Sequence, residues 1–247
     1  MGLLVFIVTI TLCLVVSSAS LYHYYPSPRI NGSLSFLVIG DWGRKGAYSQ
    51  RKVANQQQGL LVFPLHLQFS ISLQPSSKVL GNHDYRGDVE TQLSPFLSDR
   101  DKKWLCQRSY IVSIEVADFF FVDTTPFVDE YFKEPICINY NWKGILPRAK
   151  YLDKLIKKHK VDVYMNGHDH SLQHISSKIQ FMTSGGGSMA LKGILPKWGL
   201  KELKFYYNGE GFMSVEITKN KFYPKTNLEI AFYDVDCKVL YKWNKSK

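Results

Sequence analysis

The chain has 247 residues, 45% of them hydrophobic and 14% aromatic, which excludes a disordered protein and allows one domain with a sizeable core. A formal charge of +10, from 31 Lys and Arg against 21 Asp and Glu, raises the local concentration of anions such as phosphorylated small molecules or phosphate. No basic and aromatic nucleic-acid motif accompanies that charge, which excludes specific nucleic acid as a partner.

The first 28 residues contain no Lys, Arg, Asp or Glu, and Leu3 to Val16 is almost continuously apolar before Ser17-Ser18-Ala19-Ser20. That is the build of a signal peptide over residues 1–20. The apolar run is shorter than the ~20 residues of a bilayer span, so the expectation is a secreted, extracellular protein with no stable membrane span. The sequons Asn31-Gly32-Ser33 and Asn244-Lys245-Ser246 add two glycosylation sites, Asn31 and Asn244, consistent with that compartment. Cys13 lies in the leader, leaving Cys106, Cys137 and Cys237. One bridge with one free thiol, or an intermolecular bridge, is expected of three cysteines in an oxidising compartment. The oligomeric state stays open.

Ser33 to Gly40 reads as a first core strand, with Asp41 just past its end, and residues 46–58 as a polar helix. The stretch 59–77 is anomalous: Leu65, Leu67, Phe69, Ile71 and Leu73 alternate as in a strand, Pro64 and Pro75 bracket them, and no carboxylate is present. Its His66 is read as a core or edge residue. Val79-Leu80 leads into Gly81-Asn82-His83-Asp84, and residues 88–104 form a polar helix broken by Pro95. Residues 110–116 and 118–122 pattern as a hairpin ending at Asp123, a turn carboxylate. A helix over 147–159 buries Leu152, Leu155 and Ile156 while Lys154, Lys157, Lys158 and Lys160 face water. It enters a strand with Val161, Val163 and Met165 on one face, which stops at Gly167-His168-Asp169-His170.

After a strand over 179–183, Ser184-Gly185-Gly186-Gly187-Ser188 suits close approach of backbone to a ligand or metal centre, or a plain flexible turn. The carboxyl third is β-rich, with strands at 205–207, 211–217, 228–233 and 239–243, and Asn208-Gly209 as the clearest hairpin signal.

Three strand ends thus each deliver oxygen or nitrogen donors, at Asp41, Asn82 and the pair His168 and His170. A sulfur-free set of this kind suits iron, manganese or zinc. Two ions ~3.5–4 Å apart clamp a phosphate and generate a hydroxide nucleophile near neutral pH.

The motifs Gly40-Asp41-Trp42-Gly43, Gly81-Asn82-His83-Asp84 and Gly167-His168-Asp169-His170, in this order, resemble those of the calcineurin-like metallophosphoesterases. The text around them, from 33 to 56 and from 73 to the end, resembles the small plant purple acid phosphatases. The resemblance implies an α/β fold, a single-domain mixed β-sandwich flanked by helices over 33–247, internally truncated around the aberrant segment 59–77. It implies an acid phosphatase, a phosphomonoester hydrolase with an Fe(III) and a divalent ion (Zn, Mn or Fe). Asp41 and His170 resemble the ferric ligands, and Asn82 and His168 the ligands of the divalent ion. His83 resembles the catalytic histidine that steadies the phosphoryl transition state, with Asp84 behind it.

Two parts of the family pattern are missing. G-D-x-x-Y, with its bridging carboxylate and metal-bound tyrosinate, belongs where segment 59–77 stands. The histidine of V-x-x-H belongs between the 147–159 helix and the Val161 strand. With three of seven ligands absent, the resemblance implies a phosphatase of impaired activity. A catalytically dead anion-binding homologue and a splice or gene-model product are the alternatives.

Overall fold

The computed structural model describes residues 22–24, 33–42, 47–60, 69–71, 76–102, 104–128, 130–133, 156–191, 201–219 and 225–247. The leader, Asn31, Cys137, His66 and residues 147–155 of the expected helix lie outside that set.

Strand β2 (Ser33–Gly40) organises the molecule because both of its faces are apolar. Leu34, Phe36 and Val38 enter a large core cluster, and Leu37 and Ile39 enter a second one with Trp42, Val53 and Phe212. Period-two alternation puts these two sets on opposite faces of a sheet, so β2 must lie inside it. It pairs antiparallel with β12 (Gly211–Lys219) on one side and with β3 (Phe69–Ile71) on the other. The full sheet has seven strands: β14 (Val239–Ser246), β13 (Thr226–Asp234), β12, β2, β3, β4 (Ser76–Lys78) and β5 (Trp104–Cys106). Helix α1 (Gln50–Leu60) supplies Val53, with no exposed surface, to the second cluster.

Two smaller sheets contribute to the large cluster on the other face. One contains β1 (Tyr22–Tyr24), β6 (Ser109–Ile114) and β7 (Ala117–Val122) in that order. The other runs β11 (Leu203–Tyr207), β9 (Leu172–Ser176), β10 (Gln180–Ser184) and β8 (Val163–Asn166). Tyr110, Val112 and Phe121 from the first meet Leu172 and Met182 from the second, all against Phe36, Met213 and Phe232. A fully buried side chain of this size contributes about 1.5–3 kcal/mol, so this face carries much of the stability.

Two expectations change. The residues of the Asn208-Gly209 turn do not close a hairpin, because β11 pairs with β9 and β12 with β2 and β13; the turn passes the chain from one sheet to the other. Strand β8 begins at Val163 rather than Val161, since Lys160 is left-handed (φ 50°) and the Val161 N–H donates to Ile156 O at 3.2 Å. Cys106 and Cys237 are not bridged to each other, and the third cysteine of the expected pairing, Cys137, lies outside the described residues. Cys106 is buried in a third cluster with Leu80, Tyr85 and Val89, and burial pushes its thiol up to about 12.

The helical pattern after residue 88 divides as its proline requires. Helix α3 (Val89–Leu93) is capped by the Asp88 carboxylate, and α4 (Pro95–Arg100) takes proline in its first turn. The basic tail is tied down: Lys245 and Lys247 pair with Asp162 at 2.7 and 2.9 Å.

The sandwich encloses one histidine. His174, 1% exposed, places Nδ1 3.0 Å from the Tyr241 hydroxyl and Nε2 2.8 Å from Gln180 Oε1, with its ring beside Tyr241 and Trp243. Burial holds its pKa below the ordinary value; the Gln180 bond opposes this and Lys204 adds to it. A histidine whose folded pKa is depressed favours the folded state above its unfolded pKa of about 6.5. That stability is lost as pH falls through the folded value. Thermal unfolding midpoints therefore fall between pH 7 and 5, and His174→Gln flattens this acid limb; equal slopes for both proteins would contradict the assignment.

Lys78 is 2% exposed at the end of β4, its Nζ 3.2 Å from the centre of the Trp104 ring. Burial pulls its pKa down to about 8, against the pull of Cys106 and Asp101. A lysine so depressed costs stability as pH falls through that value. Lys78→Met should stabilise the fold at neutral pH by on the order of 2 kcal/mol after loss of the ring contact, read as a rise of about 5 °C in Tm.

Candidate active site

Strand β2 delivers Asp41 into a left-handed backbone conformation, φ 56°, which aspartate tolerates better than most residues. Asp41 is 6% exposed, and a buried carboxylate must find partners. Its Oδ2 accepts the His168 N–H at 2.5 Å. Its Oδ1 stands 3.6 Å from Nε2 of His170. The Ser188 hydroxyl donates to the Asp41 carbonyl at 2.5 Å, and the Gly187 N–H to Gly40 O at 3.2 Å. Burial raises the Asp41 pKa, and His170, the His168 N–H, the charge of His168 and that of His83 each pull it back.

His168 and His170 occupy the turn after β8 with φ 78° and 46°. The turn separates their roles. His170 is buried, and its Nδ1 lies 3.0 Å from the carbonyl of Met189. A carbonyl only accepts, so Nδ1 carries the proton and the neutral ring presents its Nε2 lone pair to Asp41. Two acceptors facing each other across 3.6 Å suit a metal cation between them. Both atoms fit around one ion, since the gap is less than twice a metal–ligand bond of about 2.0–2.2 Å. His168 is exposed and reaches Asp41 through its main-chain N–H.

The three-glycine loop closes over this pair. A Cβ on Gly187 would lie 2.4 Å from Gly40 O, and one on Gly185 2.9 Å from His170 N and 3.0 Å from Asp41 Oδ2. Main chain therefore packs where any side chain would collide. The close approach seen here is to Gly40, Asp41 and His170 of the chain itself.

Helix α2 (Asn82–Arg86) opens with Asn82, 8% exposed, followed by the exposed His83. The Asp84 carboxylate accepts the Gly81 N–H at 2.7 Å and the Gln92 side chain at 2.6 Å. Burial raises Asp84; those two bonds and the charge of His83 oppose the shift. His83 acts electrostatically on both Asp41 and Asp84, so α2 and the end of β2 belong to one neighbourhood. The structure thus brings Asp41 and His170 together, with His83 within electrostatic reach. Among the described residues, no three His, Cys, Asp or Glu side chains group as a metal site.

Tyr85 is not available to an ion as a stand-in tyrosinate: its hydroxyl donates to Asp123 Oδ2 and accepts from Arg108 Nη1 at 2.6 Å. Asp123, expected as a turn carboxylate, is buried in that contact. Ser188 and the Met189 carbonyl were missed by sequence reasoning; the only signal was their place in the glycine-rich loop. Asn244 is exposed on β14, with the sequon Ser246 hydroxyl bonded to Asn227 at 2.6 Å.

No protein-family model matches the chain. The solved structure described as GAP50, the anchor in the inner membrane complex of Plasmodium, superposes with a TM-score of 0.57 at 18% identity, covering 86% of this chain and 88% of that one. This likeness shows a shared fold, and mixed sheets with few helices are consistent with the calcineurin-like metallophosphoesterase sandwich expected from the motifs. Purple acid phosphatase 4 of Arabidopsis thaliana is 38% identical over 329 residues, covering 100% of this chain and 95% of the relative. Purple acid phosphatase 3 is 39% identical over 93% of this chain and 82% of its own length, and purple acid phosphatase 7 is 39% identical over 89% and 88%. An alignment of 329 positions holds a chain of 247 residues only by leaving about 82 positions without a residue of this chain. Identity at this level over most of each sequence shows that the chain belongs to the purple acid phosphatase family.

Proposed function

We propose that this chain is a secreted phosphomonoesterase of its family whose metal-dependent activity is sharply reduced. Phosphatase relatives support a phosphate-ester substrate, and membership in the family implies a dinuclear metal centre. The observation that carries the reduced activity is the donor set itself. Asp41 Oδ1 and His170 Nε2, 3.6 Å apart, fit one ion, whereas no third carboxylate or imidazole joins them among the described residues. A bridging carboxylate has no counterpart in segment 59–77, and His168, whose charge acts on Asp41, is exposed. The described donors would hold one ion and leave a second ion short of ligands.

Losing even an outer-shell partner costs about 10–100-fold in metal affinity or activity. Loss of the bridge and of two further ligands should cost more. Iron is the proposed occupant of the Asp41 and His170 locus, and Asn82 and His168 remain the proposed donors to a second, weakly held divalent ion. Secretion is supported by the apolar, uncharged first 28 residues and by the exposed Asn244 sequon. No helix among the described residues is long and apolar enough to cross a membrane. A second reading, a phosphate-binding homologue without turnover, is favoured by the charge of +10.

The test is metal analysis and p-nitrophenyl phosphate hydrolysis at acid pH, on protein collected from a secretory host beside an Arabidopsis relative. The expected outcome is a single ion or less per chain and a rate at least about 100-fold below the relative, with no visible tyrosinate band. Asp41→Asn removes the remaining metal. Two ions per chain with a normal rate would overturn the proposal, and phosphate binding without any turnover would favour the second reading.

A further inference from the structure

We propose that Tyr85, Asp123 and Arg108 form a positioning relay that sets where His83 stands relative to Asp41. The relay's catalytic meaning rests on the reading of His83 as the phosphate-facing histidine; its geometry does not. Helix α2 has five residues, far below the ~12–15 at which a helix begins to hold itself in water. Its orientation must therefore come from what its side chains grip.

Two grips flank the turn that carries Asn82 and His83. At one, Asp84 holds Gly81 and Gln92, as described. At the other, Tyr85, 2% exposed, donates to Asp123 Oδ2 and accepts from Arg108 Nη1 at 2.6 Å. Arg108 extends its second nitrogen to Glu90 on α3 at 2.7 Å. Asp123, 3% exposed, uses Oδ1 to accept the Thr125 N–H at 3.0 Å, and its own N–H donates to Arg108 O at 2.8 Å. The residues before β6 and after β7 are thus locked to each other and, through one phenol, to α2.

Apolar packing would stabilise such a site at least as well as a buried carboxylate facing a part-exposed guanidinium, since the carboxylate must first be desolvated. What the polar set adds is direction, because each bond fixes an angle as well as a distance. A slip of one residue in α2 turns the helix by about 100° and would carry His83 off the side from which it acts on Asp41 and Asp84. Tyr85, Asp123 and Arg108 act through α2 and are positioning residues.

The experiment uses the secreted chain labelled in its histidine rings, with His83→Gln to assign the His83 signal in proton–carbon spectra. Asp123→Asn and Arg108→Lys are compared with the unaltered protein; neither substituted side chain belongs to α2. The expected result is a displaced or broadened His83 signal in both variants with the His174 signal, deep in the sandwich, unmoved. An unmoved His83 signal in folded Arg108→Lys overturns the relay, and this variant decides the matter if Asp123→Asn does not fold. Unaltered protein lacking any phosphatase activity, yet showing the same His83 response, removes the proposed function and leaves the relay standing.

Discussion

The site depends on one buried carboxylate. Asp41 sits at the end of a strand that is apolar on both faces, so it cannot retreat to solvent without pulling β2 out of two core clusters. The charge has to be met where it stands. The His168 N–H meets one oxygen and the edge of His170 faces the other. The loop from Ser184 to Ser188 then packs main chain against both, anchored by the Ser184 hydroxyl on Val38 O at 2.8 Å and the Ser188 hydroxyl on Asp41 O at 2.5 Å. Three separate segments therefore converge on Asp41 through backbone as much as through side chains.

That convergence also shows which strands present the site. The strands that build the Asp41 pocket are β2, β8, β9 and β10, together with β12 and β13 behind them. All lie outside the anomalous segment. On the proposed reading, the family ligands without counterparts belong to that segment and to the join before β8. A buried Lys78 just past that segment, stacked over Trp104 with a depressed pKa, marks a core that closes imperfectly around a changed join. Burying a lysine is costly, and the sandwich on the other side of β2 offsets that cost.

Much of this was legible in the sequence because it is local. Alternation over residues 33–40 located β2 to the residue, the 110–122 pattern gave the β6 and β7 hairpin, and the β-rich carboxyl third was found with small shifts at the strand ends. Strand partners were not legible. Asn208-Gly209 carries a strong hairpin signal, yet β11 and β12 find better partners in different sheets, a choice made by long-range burial that two residues cannot encode. Histidine spacing was equally ambiguous: it placed both rings near the metal locus, whereas positive φ at each turns one toward Asp41 and leaves the other exposed. Nor could spacing show that Tyr85 and Asp123, 38 residues apart, share a hydrogen bond.

The remaining question is how the Asp41 site keeps its shape. A metal ion in such a pocket ordinarily screens its carboxylates from the protein's low dielectric. Here the chain's own groups already meet Asp41: the His168 N–H reaches Oδ2 and the Ser188 hydroxyl reaches the carbonyl, each at 2.5 Å, while the edge of His170 faces Oδ1 at 3.6 Å. A metal ion at this locus would need the Nε2 lone pair of a neutral His170. On the proposed reading, metal binding is the property most exposed to loss, while the contacts that present Asp41 persist because they are made from segments outside residues 59–77.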